Sequence, residues 1–209
     1  MSKPVLFTYW RSSCAWRVRI ALNLKGVEYE PKSVNLLTKA GPNADECFAL
    51  NPAKKVPVFI HNGKAISESL SIIEYIDEVF PRTPLLPKDP VAKAKARAIA
   101  LHVATGIHPL QNSRVQQKLN AEEEGKVGTV LTDGLAELEQ LVKKSAGKFA
   151  VGDEVTMADL CIPSILYNAR RWGVDLTPMP TLVRIETDLN KIPAFEAALP
   201  DNQPDAPKS

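Results

Sequence analysis

The sequence predicts a mixed α/β module over residues 1–80, followed by an all-helical region over residues 91–209. Short apolar strand-like segments and an Asn-Gly turn signal occur only in the first part. Prolines at positions 81, 84, 87 and 90 indicate a Pro-rich linker, residues 81–90, between the two parts. No proline falls between Pro109 and Pro163, which favours long helices in the second part.

The composition excludes several classes of protein. Hydrophobic residues make up 44% and charged residues 24%, as in ordinary globular proteins, and a net charge of +2 does not favour nucleic acid as a partner. No apolar run is long enough for a membrane span. The three widely spaced cysteines and the lack of a signal-like start predict a reducing, cytoplasmic setting. Three scattered histidines without a cysteine pair predict no metal site.

The predicted elements of the first part follow the order βαβ-α-ββα. The first helix is expected to begin near Ser12 or Ser13 and to stop before Gly26. Asn62-Gly63 is a two-residue turn signal that predicts a hairpin. The predicted strands cover residues 3–9, 27–34, 58–61 and 64–66, and the later helices cover residues 42–50 and 67–79. This is the element order of a thioredoxin-like fold.

The second part is predicted to be helical throughout. Thr156 to Asp159 is a variant of the capping box, with Asp in the usual Glu or Gln position. The tail from Pro200 is rich in Pro, Asp and Asn, and we expect it to be frayed. The predicted helices cover residues 91–118 (with a kink near 106–109), 121–144, 160–172, 179–190 and 193–199.

The richest chemistry lies at the start of the first helix. Ser12, Ser13 and Cys14 place hydroxyl and thiol groups where helix N–H groups and the helix dipole favour an anion, such as a thiolate. An equally good interpretation from the residue types is that a serine only caps the helix and that Cys14 is buried filler.

Two further pairs of adjacent residues are of types that can bind an extended peptide. Val56-Pro57 precedes the hairpin, where a cis proline would present the backbone of Val56, although a trans proline that starts the strand is the simpler alternative. Glu68-Ser69 opens a helix whose N–H groups could bind a carboxylate while Glu68 pairs with an ammonium, or it is a plain capping pair.

These motifs together resemble those of the cytosolic glutathione transferases over essentially the whole chain. Ser-Ser-Cys-Ala-Trp-Arg-Val-Arg-Ile-Ala-Leu, residues 12–22, is similar to the signature of the zeta class, the maleylacetoacetate isomerases. Further matching segments are Asn51-Pro52, Val56-Pro57, Glu68-Ser69 and residues 106–112, 152–160 and 174–178. The resemblance implies the glutathione transferase fold, a thioredoxin-like glutathione-binding domain followed by an all-helical substrate-binding domain, and usually a homodimer.

The resemblance also implies roles for individual residues. Ser12, Ser13 and Cys14 would activate the thiol of glutathione, the cofactor. Glutathione would be held by Asn43, Val56, Pro57, Glu68, Ser69, His108 and Asn112. Glu68 and His108 stand where many relatives have Gln, and Asn43 lies in a loop of variable length. His108 could instead be a helix-kink histidine that bonds the backbone.

Arginines are the residue type expected to hold the small dicarboxylate keto-acid substrates of this family. Arg11, Arg114 and Arg171 are the candidates that the resemblance favours. Arg170 is interpreted as a surface charge, and Arg17 and Arg19 as structural pairing residues.

The activity implied is a cis–trans isomerisation of maleylacetoacetate to fumarylacetoacetate, in tyrosine and phenylalanine catabolism, by thiolate addition, bond rotation and elimination. Transfer of glutathione to α-halo acids is an expected side activity. Four alternatives stay open: a maleylpyruvate isomerase of gentisate degradation, a general glutathione transferase, a monothiol oxidoreductase that uses Cys14, and a non-catalytic interaction module.

Overall fold

The computed structural model describes residues 3–111, 115 and 121–207, with side chains in the last range described from Val127 onward. The chain forms two compact units. One unit runs to Pro84 and takes in the chain again from Lys191, and the other covers Leu85–Asn190. The domain boundaries expected from the sequence, 1–80, 81–90 and 91–209, stay a prediction.

The first unit is built on a four-stranded mixed sheet with the order β2-β1-β3-β4. The strands are β1 (Val5–Thr8), β2 (Glu30–Ser33), β3 (Val58–His61) and β4 (Lys64–Ser67). The helix between β1 and β2 lets these two strands run parallel, whereas β3 is antiparallel to both β1 and β4. Leu6, Phe7 and Thr8 of the central strand are all buried, as expected for a strand covered on both faces.

Three helices accompany the sheet in chain order: α1 (Ser13–Leu24), α2 (Pro42–Leu50) and α3 (Ser69–Val79). α1 packs against α3. One core cluster joins Phe7, Val34 and Val58 of the sheet region to Ala44 and Cys47 of α2. The predicted order βαβ-α-ββα is therefore confirmed, and the Asn62-Gly63 turn joins β3 to β4, with both residues at positive φ.

The second unit is helical. Its elements are α4 (Pro90–Leu101), π-helical His102–Ile107, 3₁₀-helical His108–Gln111, α5 (Ala121–Lys143), 3₁₀-helical Asp159–Cys161, α6 (Ile162–Arg171) and α7 (Pro180–Leu189). The predicted helix over 91–118 thus leaves α-helical geometry from His102, before the expected kink at 106–109. Pro109 contributes to this change because it has no N–H for an i→i−4 bond.

Two buried carboxylates organise the second unit. Asp159 accepts hydrogen bonds from the N–H of Ala150 and the N–H of Thr156 at 2.8 Å, and from Oγ1 of Thr156 at 2.9 Å. The carboxylate half of the predicted capping box is therefore present, whereas the Thr156 hydroxyl donates to Asp159 instead of accepting from the Asp159 N–H, which bonds the Thr156 carbonyl. Glu139 of α5 accepts from the N–H groups of Thr181 and Leu182, both at 3.0 Å, and so caps the first turn of α7.

The end of the chain belongs to the first unit. It contains α8 (Pro193–Glu196) and a 3₁₀ turn, Pro200–Asn202. The side chain of Gln203 donates to the carbonyls of Ala197 (3.0 Å) and Leu199 (2.8 Å), and that of Asn202 to the carbonyl of Glu196 (2.8 Å). The expectation of a frayed tail is therefore wrong over the described residues. The side chains of Asn202 and Gln203 hydrogen-bond to backbone carbonyls of the preceding turn, and composition alone does not predict such bonds.

Within the described part of the chain, none of the helices combines the length and the apolar character needed to cross a bilayer. Over the same residues, no three His, Cys, Asp or Glu side chains are grouped so that they could hold a metal ion.

Candidate active site

The N-terminus of α1 is set by a short turn after β1. The N–H of Ser12 donates to the carbonyl of Tyr9 at 2.9 Å, which closes the turn. Ser12 is the N-cap in extended geometry, and its Oγ accepts from the N–H of Ala15 at 3.2 Å. The capping interpretation of Ser12 is therefore correct. It does not exclude a second role, because a hydroxyl that accepts a hydrogen bond keeps its own proton for donation.

Ser13 and Cys14 form the beginning of the first turn of α1. Ser13 is buried, and Cys14 is a half-buried cysteine that is not part of a disulfide. The other two cysteines, Cys47 and Cys161, are fully buried. Burial raises the pKa of the Cys47 thiol to about 11, so that thiol is not a nucleophile at neutral pH. Cys14 is the cysteine whose thiol is both accessible and close to the helix start.

Two buried arginines follow on the same helix, and they differ in their partners. Arg19 donates to Oγ1 of Thr8 and to the carbonyls of Tyr9, Trp10 and Ala198, as the structural interpretation expected. Arg17 is 1% exposed, yet its Nε and Nη2 have no hydrogen-bond partner among the described residues. The pairing expected for Arg17 is therefore not seen at these two nitrogens, and it stays a prediction. Arg17 and Arg19 are two positions apart in the sequence, which corresponds to a rotation of about 200° around the helix axis. Their side chains therefore point to opposite sides of α1.

A buried guanidinium with two nitrogens that lack a partner among the described residues is unusual, because a buried charge is normally paired and hydrogen-bonded. A helical side chain leans over the turn that precedes it, and for Arg17 this is the turn that begins with Ser13. The positive charge of Arg17 and the positive end of the helix dipole therefore favour an anion at the N-terminus of α1.

The peptide bond between Val56 and Pro57 is cis, as predicted. Val56 is 7% exposed and lies two residues before β3. Among the described residues, none forms a hydrogen bond with its backbone N–H or C=O. These groups can therefore pair with an extended peptide as a neighbouring strand would.

Glu68 and Ser69 start α3. Glu68 is the N-cap with a φ of 67°, and its exposed side chain makes no capping hydrogen bond. Ser69 is buried. The first N–H groups of an uncapped helix need acceptors, and a carboxylate is the acceptor that the dipole favours. The alternative that Glu68 and Ser69 are only a capping pair is therefore wrong for Glu68, because its side chain makes no capping hydrogen bond.

Arg11 and Asn43 line one cavity of about 520 Å³ within the first unit. The Arg11 guanidinium lies 5.2 Å from the centre of the Trp10 ring. The Asn43 amide donates to the carbonyl of Ser33 at 3.0 Å. Asp205, from the end of the chain, also lines the cavity. Sequence reasoning missed Asp205 because it lies in a Pro- and Asp-rich tail with no motif around it.

The other candidates belong to the second unit. His108 is half-buried, with its Nδ1 3.5 Å from Nε2 of Gln111. Arg171 is exposed and lies 3.4 Å from Oδ1 of Asn168. Arg170 is exposed, as its interpretation as a surface charge expected, and it also forms a two-pronged ion pair with the buried Glu186, which raises the pKa of Arg170. Asn112 and Arg114 lie outside the described residues.

The residues of the first unit can therefore bind a ligand that carries a particular set of chemical groups. Val56 offers peptide hydrogen bonds, α3 offers a carboxylate site beside the acidic Glu68, and α1 offers a site for a thiolate. A peptide that carries a free amine, a carboxylate and a thiol meets all three requirements. Glutathione is such a peptide.

Comparisons with known proteins agree with this fit. Residues 3–78 match the glutathione S-transferase N-terminal domain, and residues 107–199 match the glutathione S-transferase C-terminal domain. A probable maleylacetoacetate isomerase of Caenorhabditis elegans is 55% identical over 207 residues, which cover 97% of this chain and 96% of that protein. The chain therefore belongs to the glutathione S-transferase family, in the group of zeta-class maleylacetoacetate isomerases.

Two solved structures are similar along their whole length. The maleylacetoacetate isomerase of Anaeromyxobacter dehalogenans 2CP-1, crystallised with glutathione bound in its active site, is 40% identical with a TM-score of 0.87, covering 98% of each chain. A bacterial maleylpyruvate isomerase of the zeta class is 33% identical with a TM-score of 0.90, covering 97% of this chain and all of that one.

Proposed function

We propose that this protein is a glutathione-dependent cis–trans isomerase that converts maleylacetoacetate to fumarylacetoacetate. The observation that carries the proposal is the N-terminus of α1, where the Ser12 hydroxyl, the helix dipole and the buried charge of Arg17 favour a thiolate. The full-length likeness to maleylacetoacetate isomerases supports the choice of reaction.

Most of the proposed glutathione contacts lie in the first unit. The backbone of Val56, presented by Pro57, pairs with the cysteinyl part of glutathione. Glu68 and Ser69, at the start of α3, hold the amine and carboxylate of its γ-glutamyl end. Asn43, His108 and Asn112 are the remaining proposed contacts. Asn43 already uses one amide N–H on the carbonyl of Ser33, so its side-chain oxygen and its second N–H are the groups left for a ligand.

Catalysis requires a thiolate at neutral pH and a means to hold the substrate while it rotates. Bound glutathione supplies a thiol that can add to the cis double bond and leave again, so it is regenerated. Ser12 donates its hydroxyl proton to the sulfur as a hydrogen bond, which favours the charged form of the thiol. Ser13 and Cys14 complete the polar turn around it, and Arg17 stabilises the negative charge from behind without touching it.

The substrate carries carboxylates, for which arginine offers a planar pair of donors. Arg11, beside the thiol turn, is the proposed carboxylate ligand of the first unit, and its stacking on Trp10 limits its conformations. Arg114 and Arg171 are the proposed ligands from the second unit. Fixing the carboxylates leaves rotation about the central bond as the main remaining freedom of the substrate.

Maleylpyruvate is the second candidate substrate, because the zeta-class maleylpyruvate isomerase is as similar in fold as the maleylacetoacetate isomerases. The two substrates share the cis double bond conjugated to a ketone and differ in the group beyond it. Transfer of glutathione to small α-halo acids is the proposed side activity. We also propose that the protein is a cytoplasmic homodimer.

The test is a glutathione-dependent absorbance assay in which maleylacetoacetate and maleylpyruvate are compared side by side. We expect turnover of maleylacetoacetate that depends on glutathione and exceeds that of maleylpyruvate. Faster turnover of maleylpyruvate would favour the second candidate. The isomerase proposal fails if neither substrate is isomerised by protein that still binds glutathione.

A further inference from the structure

The three-residue turn Tyr9-Trp10-Arg11 connects β1 to Ser12 and so determines where the Ser12 hydroxyl lies. The carbonyls of Tyr9 and Trp10 both accept hydrogen bonds from the guanidinium of one buried residue, Arg19. Arg19, fully buried, donates through Nη1 to the carbonyl of Tyr9 (3.3 Å) and through Nη2 to the carbonyl of Trp10 (3.0 Å). Nη1 also donates to Oγ1 of Thr8 at 3.0 Å, which ties the turn to the last residue of β1.

The same turn is held from the other end of the chain. The N–H of Trp10 donates to Oδ2 of Asp205 at 2.9 Å, a contact between residues 195 positions apart. Arg19 also donates to the carbonyl of Ala198 through Nε (3.4 Å) and Nη2 (3.1 Å). Arg19 and Asp205 are therefore linked both through the turn and through the tail.

The tail is itself braced, so it can act as a fixed support. The Gln203 side chain donates to two carbonyls of the preceding turn, and the Asn23 side chain of α1 donates to the carbonyl of Ala194 at 3.0 Å. Burial lowers the pKa of Arg19 to about 10, which leaves it charged at neutral pH, and the charge of Asp205 opposes this lowering.

We propose that Arg19 and Asp205 are positioning residues of the thiol site: together they fix the turn before Ser12, so that the end of the chain sets the geometry of thiolate stabilisation. The reason is geometric. Arg19 fixes two carbonyls of the turn and Asp205 fixes the intervening amide, so neither peptide plane around Trp10 can rotate freely. The proposal rests on the proposed function for its catalytic consequence, but the fixing of the turn does not.

Asp205→Ala removes the acceptor for the Trp10 N–H, and Asp205→Asn keeps an acceptor oxygen while it removes the charge. Asp201→Ala is the matched control, because Asp201 is an exposed residue of the same tail. Hydrogen exchange of the peptide that spans the turn is measured without glutathione, and the pKa of bound glutathione is measured by thiolate absorbance. Initial rates give kcat and KM separately.

We expect Asp205→Ala to speed exchange in the turn, to raise the pKa of the bound thiol and to lower kcat by about 10-fold, with KM for the keto acid nearly unchanged. Asp205→Asn should restore most of each property, and Asp201→Ala should match the wild type. Unchanged exchange in Asp205→Ala overturns the fixing of the turn. Faster exchange with an unchanged thiol pKa and kcat overturns the positioning role. If the wild type isomerises neither keto acid, the proposed function is disproved. The positioning proposal is still tested in that case, because hydrogen exchange in the turn and the pKa of the bound thiol do not depend on turnover.

Discussion

Oγ of Ser12 accepts a hydrogen bond from the N–H of Ala15 at 3.2 Å, so the residue proposed to activate a thiol is also the N-cap of α1. The two roles use different parts of one hydroxyl, a lone pair for the cap and the proton for the sulfur. The two roles can therefore be separated by comparing substitutions that both lose the hydroxyl but differ in their cost at an N-cap.

Ser12→Ala removes both roles, whereas Ser12→Gly removes the hydroxyl but leaves a residue that is well tolerated at an N-cap. We expect Ser12→Ala to lower the free energy of unfolding by about 1 kcal/mol and Ser12→Gly by only about 0.3 kcal/mol. Both should lower kcat/KM by about 100-fold, because both lose the donor to the thiolate. Urea unfolding and initial rates measure the two effects.

Asp89→Ala is the matched control for capping, since Oδ1 of Asp89 accepts from the N–H of Ala92 at 2.8 Å at the start of α4. It should lose about 1 kcal/mol of stability and keep its activity. If Ser12→Gly is nearly as active as the wild type, Ser12 is only a cap.

Arg17→Met tests the buried charge behind the thiol site. Because Nε and Nη2 of Arg17 have no partner among the described residues, an apolar side chain of similar length should leave the stability unchanged or raise it by about 1 kcal/mol. The same change should raise the pKa of bound glutathione by about one unit, since it removes a nearby positive charge. Thiolate absorbance against pH measures this shift.

Arg19→Met is the contrasting variant on the same helix. It leaves the carbonyls of Tyr9, Trp10 and Ala198 without their donor, so it should lower the free energy of unfolding by about 3 kcal/mol. Equal destabilisation by Arg17→Met and Arg19→Met would contradict the distinction between the two arginines.

Cys14→Ala separates isomerisation from thiol exchange. In the native protein, iodoacetamide should react first at Cys14, because Cys47 and Cys161 are fully buried. The variant should lose this labelling and any glutathione-linked thiol exchange, yet isomerise within a few-fold of the wild type. Loss of isomerisation comparable to that of Ser12→Gly would instead place the essential group on Cys14. Mass spectrometry of the labelled peptides and initial rates give the answer.

Asp159→Asn tests the buried carboxylate of the second unit. Burial raises the pKa of Asp159 to about 6, although three accepted hydrogen bonds lower it in part. The unfolded carboxyl ionises near its ordinary pKa of about 3.9. Between these values the unfolded chain gives up a proton that the folded chain keeps, so stability from this group falls as the pH rises through the window from about 4 to 6.

The wild type should therefore exceed Asp159→Asn in stability by a margin that shrinks by about 2 kcal/mol between about pH 4 and pH 7. Urea unfolding at several pH values measures the margin. Asp175→Asn is the control, because Asp175 is exposed and accepts from the N–H of Thr177 in a surface turn. A margin that widens with pH would contradict the raised pKa of Asp159.

Local sequence signals were sufficient for most of the fold. The Asn62-Gly63 turn and the hydrogen bond between Thr156 and Asp159 each depend on residues that are adjacent or a few positions apart, whereas the cis Val56-Pro57 bond followed from its place before the hairpin of a thioredoxin-like module. The glutathione transferase fold followed from the order of the elements together with the resemblance. The π-helical turn from His102 was not predicted; its Ile107 lies close to Gly134 of α5, where an added Cβ would meet the Ile107 side chain, and this is a contact between residues distant in sequence.

The site was predictable where it depended on residue type and position, as for Ser12 at the helix start. The different environments of Arg17 and Arg19 were not, because the same motif supplies both and only packing decides which one finds acceptors. Asp205 was not predictable either, since its partner is a backbone N–H at the other end of the chain. Arg170 and Glu186 likewise meet only through the packing of α6 and α7.

The most direct test of the central claim is the fate of glutathione during turnover. Maleylacetoacetate is supplied in large excess over glutathione, and the product geometry and the glutathione concentration are followed by nuclear magnetic resonance. An isomerase should convert the cis acid to the trans acid many times per glutathione molecule and leave the total glutathione unchanged. Consumption of one glutathione per substrate, or no formation of the trans acid, would contradict the account.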